Sequence, residues 1–391
     1  MNGKNIAIKN NNLSSRVLLF IAVILLFTVL KVLKTVILPV VIAGFLFAAI
    51  NPLLSFFKKI NIPKALANFL AIVVLIVALV FIGNIVYLMV NVLIVGLPKY
   101  VDRINEVNVL LSGYIVKYID PSNPDLSLLS YFDVDWYTFT MGLLTSVSSL
   151  TIDIVSDIAF ILLIVFFMIL EQHTFVPKIV YCFNSTQAST VSFFTKANNQ
   201  LGKYILIKLF VSFFTGIFFY LTAIVTGLDF AIVWGVLAFF FNFIPTIGSI
   251  LVTILTVMMA FIQFLPDWSK VIYVLVLTVL TQQVWGNIID PKLQGEQLNL
   301  SPLVILISLT LWSYIWGIAG MFLAVPIIAF IQLLCSVSEH TRPIAVFLSS
   351  GKTLLVKEVK QKKTASATKN VDLDYVLPSG SNPEDDDEDY V

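Results

Sequence analysis

The chain has 391 residues, of which 59% are hydrophobic and 12% charged, against roughly 45–50% and about 25% in a soluble domain, so a soluble enzyme is excluded as the default reading. Its 24 basic and 23 acidic residues leave a formal charge of +1, which offers no electrostatic ground for binding nucleic acid or an acidic substrate. Cys182 and Cys335 show no Cys-x-x-Cys spacing and the only histidines are His173 and His340, so neither a disulfide framework nor a zinc site is expected and no cofactor is implied.

At the N-terminus Lys4, Lys9 and Arg16 precede an apolar run over 17–30, in the manner of a secretory signal. Lys31 and Lys34 follow in place of a small-residue cleavage site, so the run reads as a retained first span. A helix needs about 20 apolar residues to cross hydrocarbon roughly 30 Å thick, and the chain supplies such runs at about 16–35, 36–57, 65–97, 152–170, 204–226 and 271–289. Residues 1–97 therefore form an N-terminal group of transmembrane helices. Segment 98–150 is too polar to span, yet Leu110, Leu111, Tyr114, Ile115 and Tyr118 recur at helical spacing, which predicts amphipathic helices on the outer membrane surface.

Residues 151–350 read as a transmembrane transport core. Within it two apolar blocks, 228–265 and 298–335, are each broken near the middle, at Asn242-Phe243-Ile244-Pro245-Thr246-Ile247-Gly248 and around Trp316-Gly317-Ile318-Ala319-Gly320. Proline removes a backbone donor and glycine loosens a helix, so each block predicts a helical hairpin, either spanning or re-entrant. Residues 351–391 hold fifteen charged side chains and end in the acidic run 384–389; this tail cannot bury a core and is expected to be disordered. The fold class is thus an all-α integral membrane protein of about eight hydrophobic helical segments. If both hairpins are re-entrant, helix 204–226 with its hairpin and helix 271–289 with its hairpin form an inverted-topology repeat.

Lysine and arginine positions set the orientation. Lys58, Lys59 and Lys64, then Lys178, Lys196 and Lys203, then Arg342, Lys352, Lys357 and Lys360 argue for the cytoplasmic side, whereas segment 98–150 is rich in Asp and Glu and belongs outside. Lys31 and Lys34 dissent. The expected protein is a multi-pass component of the cell membrane with both termini cytoplasmic.

No Walker A sequence, Gly-x-Ser-x-Gly elbow, His-Glu-x-x-His pair or Rossmann fingerprint occurs, so ATP-driven transport and the familiar hydrolases lose support. Polar groups inside apolar helices are costly and become the functional candidates. Lys208 reads either as a side chain snorkelling to the interface or as part of an ion site. Asp153 and Asp157 share one helix face, as solvated capping groups or as a cation or proton site. Gln282, Gln283, Asn287 and Asp290 form a polar ladder, serving interhelical hydrogen bonds or a substrate. The two hairpin breaks either line a path or pack a helix corner.

Several motifs resemble a known family in order and spacing across about residues 200–335. They are the Asn242–Gly248 turn with Ser249, Asp290-Pro291-Lys292-Leu293-Gln294-Gly295, Leu298-Asn299-Leu300-Ser301-Pro302-Leu303, and the stretch from Trp316 to Pro326. They look like the signatures of the autoinducer-2 exporter family, also called PerM-type permeases; the charged tail is no part of that pattern. The resemblance implies a membrane transporter of seven or eight hydrophobic helices, some members being linked to export of a quorum-sensing signal and others to sodium–proton exchange. The expected function is a secondary permease or exporter of a small polar molecule such as autoinducer-2, not an enzyme. Asn242, Pro245, Gly248, Gln282, Gln283, Asn287, Asp290, Asn299, Ser301, Pro302, Trp316, Gly317 and Gly320 would frame its path. The alternatives are a cation–proton antiporter using the carboxylates Asp153, Asp157 and Asp290, with Asp153, Asp157 and Lys208 as a possible ion site, and a non-transporting scaffold. Expected partners are the lipid bilayer, a small-molecule or ion substrate, and further copies of the chain in a homo-oligomer.

Overall fold

The computed structural model describes residues 3–118, 136–183, 187–294 and 299–351. Among these the regular elements are helical, apart from one antiparallel bridge between Leu300 and Ser349. Helices α1 (Gly3–Val32) and α2 (Lys34–Lys59) meet at Leu33, whose ψ of 24° interrupts the ladder. After a turn in which Asn61 takes φ 59° and Pro63 precedes the first helical residue, α3 runs over Lys64–Gly96. The second and third match their apolar runs within a few residues, whereas α1 begins thirteen residues before the expected start of its run at about 16.

The polar segment contains α4 (Lys99–Tyr118), helical as its periodicity predicts; residues 119–135 lie outside the described set. The next two helices are longer than their apolar runs. The expected 152–170 span sits inside α5 (Trp136–Phe183), whose 48 residues extend about 72 Å at 1.5 Å per residue. The expected 204–226 span is the second half of α6 (Gln187–Thr226). Hydropathy marks only the part of a helix that suits lipid, so it stops where α5 meets Glu171 and Gln172 although the backbone ladder continues.

Both broken blocks are helical hairpins. The first is α7 (Ala231–Phe241) and α8 (Ile247–Phe264); the second is α11 (Pro302–Trp316) and α12 (Ile318–Val337). Between them lie α9 (Trp268–Thr281), a π-helical segment Gln282–Ile289 and the short α10 (Asp290–Gln294), and α13 (Arg342–Leu348) follows the second hairpin. Six helices are long and apolar enough to cross a membrane among the described residues. The protein is therefore a multi-pass, all-α membrane protein. Residues 352–391, the expected disordered tail, lie outside the described set.

Packing follows residue size. Ile161, Val165 and Ile169, one turn apart on α5, bury against Ala43, Ile50 and Leu54 of α2 and Ala67 and Ala71 of α3. Helices α6 and α7 cross at Gly216 and Gly235, where a β-carbon on Gly216 would stand 2.7 Å from the Gly235 carbonyl oxygen. Without a hydrophobic drive between helices in lipid, small residues of this kind permit the close van der Waals contact that holds them. The two hairpins meet at the first hairpin's tip, where Ile244 packs with Leu309, Trp312, Trp316, Ala324 and Ile327.

Candidate functional site

Eight of the residues that the sequence singles out line one cavity of about 660 Å³ between α6, the first hairpin, the α9 to α10 segment and the second hairpin. Asn242, Pro245, Gln282, Gln283, Asn287, Asp290 and Asn299 line it, and so does Lys208. The hairpin turn comes first along the chain. Asn242 ends α7 and is 3% exposed; its Nδ2 donates to Ser212 Oγ on α6 at 2.9 Å. Pro245 then stops the chain, and Thr246 takes φ 63° and ψ −57° while the Ile247 amide donates to the Pro245 carbonyl at 2.6 Å. That is a γ-turn of the strained hand, rare for a β-branched residue and of the kind that gathers at ligand sites. It swings α8 so that Thr246, Ser249 and Thr253 present a hydroxyl stripe to the cavity, with the N-terminal, positive end of α8 beside it.

The facing wall is the π-helical segment. A π turn closes its hydrogen bonds at i→i+5, one residue wider than in an α-helix, and is frequent at functional sites. It is braced from α6 by Phe214, stacked on Trp285 with ring centroids 4.8 Å apart and planes 3° apart. Gln282 is 8% exposed, and neither its Nε2 nor its Oε1 has a hydrogen-bond partner among the described residues. Asn287 Nδ2 donates to Gln283 Oε1 at 2.8 Å, closing the lower part of the ladder on itself.

Lys208 and Asp290 form the charged floor. Their Nζ and Oδ2 atoms are 2.8 Å apart, the two residues being 4% and 9% exposed, and Gln294 Nε2 donates to the other Asp290 oxygen. Lys208 is therefore not a snorkelling side chain: a partner 82 positions away draws it inward. Asn299, at φ 40°, and Leu300 close the cavity from the side; the Asn299 carbonyl accepts from the Ser350 amide at 3.0 Å, and the Ser301 amide donates to the Leu348 carbonyl at 3.0 Å.

Other predicted residues shape the hairpins without lining the cavity. Gly248 and Gly320 each sit against a carbonyl of the preceding helix: a β-carbon would stand 1.8 Å from the Phe241 oxygen and 1.9 Å from the Trp312 oxygen. Gly317 makes the second turn at φ 69° and ψ −142°, a region open essentially to glycine. Pro302 starts α11 and Ser301 precedes it. Trp316 is buried and its Nε1 donates to the Leu30 carbonyl at 3.0 Å, tying the second tip to α1. No described α5 residue lines the cavity, so Asp157 does not join Lys208 there. Asp157 is exposed and the Asp153 side chain lies outside the described set. Sequence reasoning missed the hydroxyl stripe, although Thr246, Ser249 and Thr253 carry a legible i, i+3, i+7 spacing. It also missed Tyr204, one turn before Lys208.

Away from the cavity, α4 is strapped to the far end of the first hairpin. Lys99 Nζ and Tyr100 Oη donate to Asp229 Oδ2 at 2.5 and 2.6 Å, and Arg103 donates to the carbonyls of Ile262, Gln263 and Leu265. Burial disfavours the charged form of Asp229, but the hydrogen bonds from Lys99 and Tyr100 and the nearby ammonium outweigh it and hold the carboxyl below its ordinary value. Burial, with the Asp229 carboxylate as the second cause, pushes the Tyr100 phenol up.

The family model for AI-2E family transporters matches residues 18–338, a range that includes both hairpins and the cavity between them. The chain belongs to the AI-2E transporter family. It is 30% identical over 318 residues to the AI-2 transport protein TqsA of Escherichia coli K12, covering 80% of this chain and 89% of that protein. A Borreliella burgdorferi protein, provisionally described as a transport protein, is 30% identical over 336 residues, covering 85% and 90% of the two chains. The similarly described YueF of Bacillus subtilis is 27% identical over 311 residues, covering 76% and 83%. As a member of this family the chain is a membrane transporter.

Proposed function

We propose that this AI-2E transporter is a secondary permease or exporter that carries a small, polar, uncharged molecule through the cavity between its hairpins, a quorum-sensing signal such as autoinducer-2 being the favoured cargo. The observation that carries the reading is Gln282: a buried amide with both polar atoms unpartnered among the described residues, in a wall of amides and hydroxyls. Such an amide costs roughly 1–3 kcal/mol in a folded protein, a cost that a hydrogen-bonding cargo would offset. Among the described residues the charges lining the cavity are Lys208 and Asp290, and they cancel each other, which supports a neutral cargo. Each hairpin seats a glycine on a carbonyl of its first helix, a shared device that supports the inverted-repeat reading and alternating exposure of the cavity.

A cation–proton antiporter is the second reading, favoured by the presence of a buried carboxylate in the cavity. Against it, the Lys208 ammonium already occupies the Asp290 oxygen that a cation would need. Flux in proteoliposomes separates the two. Autoinducer-2 should accumulate, and Gln282→Leu should reduce that flux at least tenfold without lowering thermal stability, since the amide loses no protein partner. Sodium flux driven by a proton gradient, with no flux of the solute, would favour the antiporter instead. Wild-type solute flux by the Gln282→Leu protein would remove the cavity from the path.

A further inference from the structure

A second polar depression lies outside the transport cavity, where the end of α2, the start of α3 and the middle of α5 come together. Asn51, Ser55, Lys58, Lys64, Asn68 and Gln172 supply its polar lining, and none of its described lining residues is acidic. The nearest acid along α5, Glu171, is committed to Lys178 at 3.2 Å. Asn51 Nδ2 is buried there and has no acceptor among the described residues. The lining is therefore dominated by donors: two ammonium groups, carboxamide N–H groups and a hydroxyl, together with the amide-rich first turn of α3. The cavity measures about 40 Å³, room for about three oxygen-sized atoms at roughly 10–15 Å³ each. Phe56, Ile60, Leu66 and Phe69, close in sequence to the lining residues at the end of α2 and the start of α3, are exposed apolar side chains.

We infer that this depression binds a phosphate group, with the oxygens seated between Lys58, Lys64 and Asn51. Charge and donor geometry select the anion, and the exposed apolar side chains favour a phosphate carried by a membrane lipid, whose acyl chains would lie along Phe56 and Phe69. A site of this kind at the α2–α3 turn would fix the N-terminal helices at a set depth in the leaflet, independently of the transport cavity.

The test uses the full-length protein in detergent. Its thermal unfolding is followed with added phosphatidylglycerol, phosphatidylcholine or inorganic phosphate, and lipid retention is read by native mass spectrometry. Phosphatidylglycerol should raise Tm and remain bound where phosphatidylcholine does not. An equal shift from millimolar inorganic phosphate supports the same site with a soluble source. In Lys58→Gln/Lys64→Gln, which alters exposed side chains only, affinity for phosphatidylglycerol should fall roughly thirtyfold, at about 1 kcal/mol per lysine. Lys59→Gln, adjacent in sequence but outside the lining, should match wild type, and Asn51→Leu should lose the shift while keeping its fold. Equal affinity in the double variant and wild type, or no shift with any phosphate, overturns the inference.

Discussion

At the scale of single residues, the Lys208–Asp290 pair decides what the cavity can tolerate. Taking two charges out of water is offset only by their mutual attraction, so removing either alone leaves a buried charge uncompensated. Lys208→Met and Asp290→Leu should each lower the stability of the purified protein by about 3–5 kcal/mol, and the double variant should recover most of the loss. Unfolding measurements on the four proteins give the interaction energy directly, and single variants as stable as wild type would show that the pair is solvated. The residue scale is also where sequence reading was most uneven. Gln282, Gln283, Asn287 and Asp290 were legible because polar side chains in an apolar helix are conspicuous. Lys208 was legible as a candidate too, but its pairing with Asp290 was not, because hydropathy is local and the two are separated by 82 positions. Asp153 and Asp157 look like an ion site for the same reason that the ladder does, yet no described residue of their helix lines the cavity.

Among elements, the two hairpins share a construction but differ in support. Both were legible from proline and glycine breaking an apolar block. The γ-turn at Thr246 and the π-helical wall were not, since neither has a residue pattern that distinguishes it from ordinary helix. Gly248→Ala and Gly320→Ala place a methyl group under 2 Å from a carbonyl oxygen, so a backbone must shift, and each should cost about 1–3 kcal/mol or more. Gly317→Ala meets nothing within 4 Å but keeps φ at 69°, and should cost about 1–3 kcal/mol from backbone strain alone. Gly83→Ala, in the interior of α3 with open space around it, should instead stabilise by about 0.5–1 kcal/mol. Thermal unfolding of the four variants checks the ranking, and a tolerated Gly248→Ala would mean that the first hairpin is looser than its geometry states.

Across the whole molecule, the chain closes on itself after the second hairpin. The segment 299–301 is paired with 348–350, and Gln332 Nε2 donates to the Asn299 carbonyl at 3.3 Å, so α13 props one wall of the cavity. Ending the protein after Gly351 should leave yield and Tm unchanged, because the tail composition offers little apolar surface to offset the entropy of ordering. Ending it after Thr341 should lower Tm and reduce transport; equal behaviour of the two truncations would show that α13 is dispensable. The strap from α4 to the first hairpin carries a different consequence. Asp229 is held below the ordinary carboxylate value, so its contribution to stability is complete above the unfolded-state pKa of about 4 and is lost only as pH falls through the lower folded value. Between neutrality and mild acidity the strap keeps its charge, and a cell whose surroundings turn sour as its population grows would retain the same clasp throughout.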